Sequence, residues 1–426
     1  MRESAVEALL SLGKPEEMSA SAAKGWLPQS RPKVNTHIHL PPNFSAFESV
    51  AEAVESASRE GLGVLGASNY YHFGVYSDFA ARSRERNIFP LFGLEIVCLI
   101  EELSRRGVRV NDPGNPGKMY LCGKAITRFE EMTGEARDLI AIIRREDSRR
   151  MAEMVKRLAR IFVSHGVETC LDEDVVIDRV MRRHGCPRSW VFLQERHVAQ
   201  AFQESFFEHV KEDERAERLG KIFGSASHAA PDGAVAVQSE IRKHLMKAGK
   251  PGYVEERFVT LEQARRLTLA LGGIPCYPVL ADGAEPACEY ERDVDELIED
   301  LKALNVHCAE FIPVRNKPDV LARYVTAMRK SGMVVTAGTE HNTLDARAIE
   351  PACAGGRPVP EEIQDIFREG ACVLAAHQFL AVHDRPGFVD GDGNLNAAWD
   401  TRQKRIDAFR VLGAAVIHRF HESNSR

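Results

Sequence analysis

One unit recurs along this chain and constrains it more than any other feature: an amphipathic helix, a glycine, then a short apolar strand. Ser45-Ala46-Phe47-Glu48 has capping-box spacing and predicts a helix carrying Phe47, Val50, Ala51 and Val54 on its inward face. Gly61 ends that helix, and 62–67 reads as a buried strand. A helix at 77–86 and a strand within 89–97 repeat the unit, and 119–122 is a shorter strand candidate. Thr260-Leu261-Glu262-Gln263 caps a helix that runs to Gly272, ahead of a strand at 274–279. Helix 292–304, strand 307–312, helix 318–330 and strand 333–337 continue the pattern. With 34–39 as the first, seven strand candidates result, most of them linked by helices. Such alternation predicts an α/β protein with a parallel sheet, and this many units favour a closed barrel over an open sheet.

Between the two groups of strands the texture changes: 135–160 and 190–222 are charged and helical. The expected organisation is an N-terminal helical extension at 1–32, a first barrel part at 33–125 and a helical insertion at 126–258. A second barrel part at 259–370 and a C-terminal extension at 371–426 complete it, with a turn at 390–394. The 426 residues are 44% hydrophobic and 28% charged, which excludes a largely disordered chain. A net charge of −6 argues against nucleic acid as partner while leaving room for a local basic pocket. No apolar run approaches the roughly 20 residues that span a bilayer. Glu3, Glu7, Glu16 and Glu17 are unlike an export signal, and the nine cysteines form no CxxC pair. The expectation is a soluble, cytoplasmic protein.

In a parallel barrel the strand ends share one mouth, so polar residues there are the candidates for chemistry. His37 and His39 lie two apart at the end of the first strand, and period-two alternation puts both imidazoles on one face. Glu95 comes after Phe-Pro-Leu-Phe-Gly-Leu, where a carboxylate needs a cation or a hydrogen-bonded partner. The last strand delivers Gly338-Thr339-Glu340-His341-Asn342. His37, His39, Glu95 and Glu340 would make a first shell for one divalent ion, Zn²⁺, Mn²⁺ or Fe²⁺, with room for a water. The alternatives are a hydrogen-bonded histidine pair in the core, a buried salt bridge at Glu95, and His341 as ligand with Glu340 turned aside.

The order of these pieces resembles the PHP superfamily, named for its polymerase and histidinol phosphatase domains. His37-Ile38-His39, Gly93-Leu94-Glu95-Ile96, Gly272-Gly273-Ile274-Pro275, Ala309-Glu310-Phe311 and Gly338-Thr339-Glu340 are similar to that family's motifs, and Arg196-His197-Val198-Ala199 is similar to an Arg-Pro-His-Ile-Ala in its insertion. The resemblance covers about 33–343 and implies a (β/α)7 distorted TIM-like barrel with a helical insertion, holding up to three metals and hydrolysing phosphoesters. Ser68-Asn69-Tyr70 stands where the family has Thr-Asp-His, Tyr120 and Tyr277 replace two further histidines, and Asn342 replaces the last one. A neutral phenol with a pKa of about 10 is a poor ligand for such ions. The resemblance therefore implies a site reduced to a single metal.

The expected function is that of a metal-dependent hydrolase acting on a small phosphoester or other anionic metabolite. Glu340 or His341 would be the general base, and Tyr70, Tyr120 and Tyr277 would donate hydrogen bonds to developing charge. Lys124, Arg315, His197, Asn69 and Asn342 would bind the substrate, Arg315 through its planar fork. A core-packing role with a satisfied hydroxyl is the alternative for each tyrosine. A metal-assisted barrel isomerase or lyase, and a non-catalytic binding protein of the same fold, are the competing functions.

Overall fold

A computed structural model describes residues 4–23, 31–344 and 348–424. Seven strands follow one another around a nearly closed barrel: β1 (Lys33–Ile38), β2 (Leu62–Asn69), β3 (Phe89–Leu99), β4 (Lys118–Lys124), β5 (Ile274–Val279), β6 (Cys308–Phe311) and β7 (Val334–Ala337). Each pairs with the next in sequence, and the two-residue strand Val259–Thr260 pairs with β3 off this path. Closure between β7 and β1 runs through the residues just beyond β7. The amides of Thr339 and Glu340 both donate to the carbonyl of His37, and the His39 amide donates to that of Glu340. The protein is thus an α/β, (β/α)7 distorted TIM-like barrel with a helical insertion.

The sheet is not wholly parallel, contrary to expectation. β4 runs antiparallel to both β3 and β5. Residues 100–117 carry only the five-residue helix Glu101–Arg105 instead of a full crossover, and the Ile100 amide bonds the Gly117 carbonyl as the chain folds back. This reversal has a consequence for chemistry. Tyr120 opposes Val97 toward the end of β3, whereas Lys124 opposes Gly93, deeper in the barrel.

The first barrel helix also differs from expectation. It spans Val50–Arg59 and is capped by Ser49, whose side chain accepts from the Glu52 amide. Ser45 instead accepts from the Phe47 amide. The Thr260–Gln263 capping box forms as the sequence predicts, ahead of Leu261–Ala270. Beyond β7 the chain is more ordered than its mixed composition implies, with long helices at Glu361–Val382 and Arg402–Asn424. They approach so closely that a Cβ on Gly413 would lie 1.7 Å from the Cys372 carbonyl oxygen. Gln378 from the first of them bonds the Phe92 amide and the Pro90 carbonyl of β3, below the point where β4 ends.

Two compact units emerge: Met1–Leu40, Ser49–Ile140 and Phe258–Arg426 form the barrel unit, and Pro41–Glu48 with Ala141–Arg257 form a helical unit. The helical unit has its own core, including Met154, Leu158, Phe162, Val198, Phe202, Phe206 and Ile241. In it, Arg150 of the charged 135–160 stretch is buried and paired with Glu195 and Glu256. Among the described residues no helix is long and apolar enough to cross a membrane.

Candidate metal centre

Local geometry at the end of β1 departs from simple alternation. The β1–β2 register is irregular between Asn35 and Ile38, which lets the neighbours Thr36 and His37 both reach Glu310 on β6. His37 Nδ1 lies 2.6 Å from Glu310 Oε2 and Thr36 Oγ1 donates to Oε1 at 2.9 Å. A neutral His37 that donates from Nδ1 to this carboxylate would present a bare Nε2 to the other side. That atom lies 3.4 Å from His39 Nε2 and 3.7 Å from Glu95 Oε2, and His39 Nε2 lies 3.0 Å from Glu95 Oε2.

These separations test whether the residues fit a metal. Ligands about 2.1 Å from one ion at tetrahedral angles stand about 3.4 Å apart. The three contacts bracket that value, all three side chains are buried, and two imidazoles with one carboxylate are a borderline donor set suited to Zn²⁺, Fe²⁺ or Mn²⁺. The residues fit. A three-ligand set leaves a position for water or substrate.

Glu340 stands apart from that trio. Its Oε2 is held by the Arg315 guanidinium and, at 2.9 Å, by the Asn342 amide. Burial would raise its pKa, but the Arg315 guanidinium leads the groups that outweigh burial and lower it. Both Glu340 and His341 have left-handed backbones, φ 58° and 50°, in a turn that side chains tolerate poorly. Gly338 is what lets this turn meet β1, since a Cβ there would lie 2.3 Å from the His37 Cβ. His341 Nδ1 contacts Thr339 Oγ1 at 2.7 Å, and Asn35 donates to the same hydroxyl.

The tyrosines divide. Tyr70 stacks on His39 with ring centres 5.2 Å apart, and burial, then Glu95 and Tyr120, push its pKa well up, so it stays a neutral phenol. Tyr120 is half-buried. Burial would lower the pKa of the Arg315 guanidinium, but Glu340, then Glu95, raise it. Tyr277 is engaged elsewhere: its hydroxyl donates to Glu291 at 2.8 Å, and Glu291 also accepts from the amides of Leu280 and Ala281. Burial outweighs those three donors and raises Glu291 to about 7.

All five residues expected from the sequence to bind substrate have protein partners. Lys124 is 1% exposed, with its ammonium 2.6 Å from Glu310 Oε1 and further bonds to the Thr36 carbonyl and Ser68 hydroxyl. Burial would hold a carboxyl up, but Lys124 and His37 keep Glu310 at about 2. Asn69 clamps the chain after His39, accepting from the Leu40 amide and donating to its carbonyl. Asn342 serves Glu340. His197, in the helical unit, closes the capping box of Glu195–His209 by accepting from the Gln194 amide, and burial lowers it to about 3. Arg315 is the cation of this group with an open face, its side chain 36% exposed.

Sequence reasoning aligns Glu310 with a family motif but gives it no task. The argument applied to Glu95, a carboxylate inside an apolar strand, applies equally to Cys308-Ala309-Glu310-Phe311 and would have found it. Cys122, a small apolar filler by its sequence context, lies 3.8 Å from Glu310 Oε2 and 4.0 Å from His37 Nδ1.

No known family profile and no curated protein matches this sequence. Solved structures do. One, provisionally described as a metal-dependent phosphoesterase from Bifidobacterium adolescentis, is 17% identical with a TM-score of 0.52, over 82% of this chain and 97% of that one. An amidohydrolase from Chromobacterium violaceum with bound sulfate and no metal is also 17% identical, with a TM-score of 0.48, over 78% of this chain and 96% of that one. At such identity the first likeness speaks to the fold: this chain shares its barrel architecture with a protein of that description.

Proposed function

We propose that this chain is a divergent PHP-type hydrolase whose barrel mouth holds one divalent ion on His37, His39 and Glu95, and that it cleaves a small anionic ester. The observation that carries the reading is the convergence of two Nε2 atoms and one carboxylate oxygen at ligand-to-ligand spacing in a buried site. The described likeness of the Bifidobacterium structure supports it at the level of architecture.

A bound ion would acidify water and polarise a substrate oxygen. The rest falls to side chains of the chain itself. Arg315, with its exposed face, takes the anionic group of the substrate through its planar fork. Tyr70, kept a phenol by burial, and Tyr120 donate hydrogen bonds to charge that develops on the reacting group. Glu340 is a weak proton acceptor while Arg315 holds it, so an anion that draws Arg315 away raises its basicity.

The test is a screen of phosphomonoesters, phosphodiesters and carboxylic esters with the metal-stripped chain reloaded with Zn²⁺, Mn²⁺ or Fe²⁺. Metal-dependent turnover that Glu95→Gln abolishes is the expected result. Metal binding with no hydrolysis of any ester sinks the hydrolase and favours an isomerase, a lyase or a binding protein.

A further inference from the structure

Behind His37, on its Nδ1 side, lies a second set of buried metal-type donors: His37 Nδ1, Cys122 Sγ and Glu310 Oε2. Nitrogen, thiol and carboxylate together suit Zn²⁺ or Co²⁺. Yet the Nδ1–Oε2 separation is 2.6 Å, a hydrogen bond and well under ligand-to-ligand spacing. The other oxygen of the same carboxylate carries the Lys124 ammonium at 2.6 Å.

We propose that Lys124 is the resident cation of this inner chamber and holds the protein to one metal ion by occupying the charge and the carboxylate that a second ion would need. The inference rests on the metal centre at His37, His39 and Glu95 and concerns the space behind it.

The surroundings of Lys124 support it. Lys124 cannot swing out to solvent: it is 1% exposed, and the reversed direction of β4 places it deep in the barrel opposite Gly93. Its bonds to Glu310, to the Thr36 carbonyl and to the Ser68 hydroxyl fit the three donors of an ammonium. A divalent ion on Glu310 would sit within a few ångströms of that ammonium in a site where water screens little. Burial also pushes the Cys122 thiol well up, so it is no thiolate as the chain stands. The same pair steadies the outer site, because the Glu310 carboxylate, neutralised by Lys124, keeps the His37 proton on Nδ1 and its Nε2 free for the first ion.

Lys124→Met keeps the length and removes the charge. A second ion then binds Glu310 and Cys122 with the Nδ1 edge of His37, releasing the thiol proton and the Nδ1 proton as metal–sulfur and metal–nitrogen bonds form. The experiment is a Co²⁺ titration of the metal-stripped full chain followed by absorption. Wild type should take one equivalent and show no thiolate-to-cobalt charge-transfer band. Lys124→Met should take two and gain that band, and adding Cys122→Ser should remove the band while leaving the first equivalent in place. If Lys124→Met is recovered unfolded, Lys124→Gln, which keeps a hydrogen bond to Glu310 without the charge, is titrated instead with the same expectation. Two equivalents in wild type, or one in the folded variant, overturns the inference and leaves the proposed function standing. Zero equivalents in wild type overturns the metal centre itself and this inference with it.

Discussion

Replacing Glu310 by glutamine tests the buried network beneath the metal centre. The change keeps an acceptor for His37 Nδ1 and leaves the Lys124 ammonium without its counter-charge at 1% exposure. Stranding one partner of a buried pair costs about 3–5 kcal/mol. A second route gives a similar figure. The carboxyl falls from 4.5 to about 2 on folding, and at 1.36 kcal/mol per pH unit that is about 3 kcal/mol. Because the folded value lies below the unfolded one, this stability is present above pH 4.5 and is lost as the pH falls toward 2. Hydrogen exchange on peptides covering β1 and β6 reads the barrel unit separately from the helical one. The expected loss is about 3–5 kcal/mol for Glu310→Gln at pH 7, smaller at pH 4, and smaller in Glu310→Gln/Lys124→Met, where no charge is stranded. A loss under about 1 kcal/mol, or a double variant worse than the two singles together, would refute the idea that a mutually dependent ion pair supports this wall.

Glu95→Gln should weaken metal binding about 100-fold or more with the circular dichroism unchanged, as read by calorimetric titration; undiminished affinity would remove Glu95 from the ligand set. Arg315→Lys keeps the charge but loses the fork, so KM for an anionic substrate should rise about 10-fold with kcat little altered, and an unchanged KM would take Arg315 out of substrate binding. Glu291, raised by burial to about 7 from 4.5, binds a proton in the folded state that the unfolded chain releases, so its contribution falls as the pH rises from about 5 to about 8. Glu291→Gln should flatten that part of the pH profile of Tm, and a gap between variant and wild type that does not change with pH would contradict this. Gly338→Ala should destabilise the barrel by about 1–3 kcal/mol and loosen metal binding, because its Cβ would lie 2.3 Å from the His37 Cβ; a variant of wild-type stability would show that the turn has slack.

How far the site can be read from the chain depends on what each residue answers to. The seven strands, the helix from Leu261 and the convergence of His37, His39 and Glu95 are legible, because period, caps and a buried carboxylate are local signals. The Ser45 capping box misleads: Ser49 offers the same chemistry four residues later, and the segment Pro41–Glu48 belongs to the other unit. Glu340 is legible as a site residue and not in its partner, since Arg315 is 25 positions away and only the turn after β7 aims the carboxylate at it.

Composition and periodicity alone determined that this chain makes an α/β barrel with polar residues at strand ends, because alternation and helical repeat are properties of neighbours. Tertiary structure alone decided the direction of β4, and with it whether Lys124 meets a substrate or Glu310. A strand reads much the same in either direction, so its apolar pattern carries no sign. The choice is made when the short connection after β3 folds back along the sheet, sending one end of β4 to the mouth and the other into the interior.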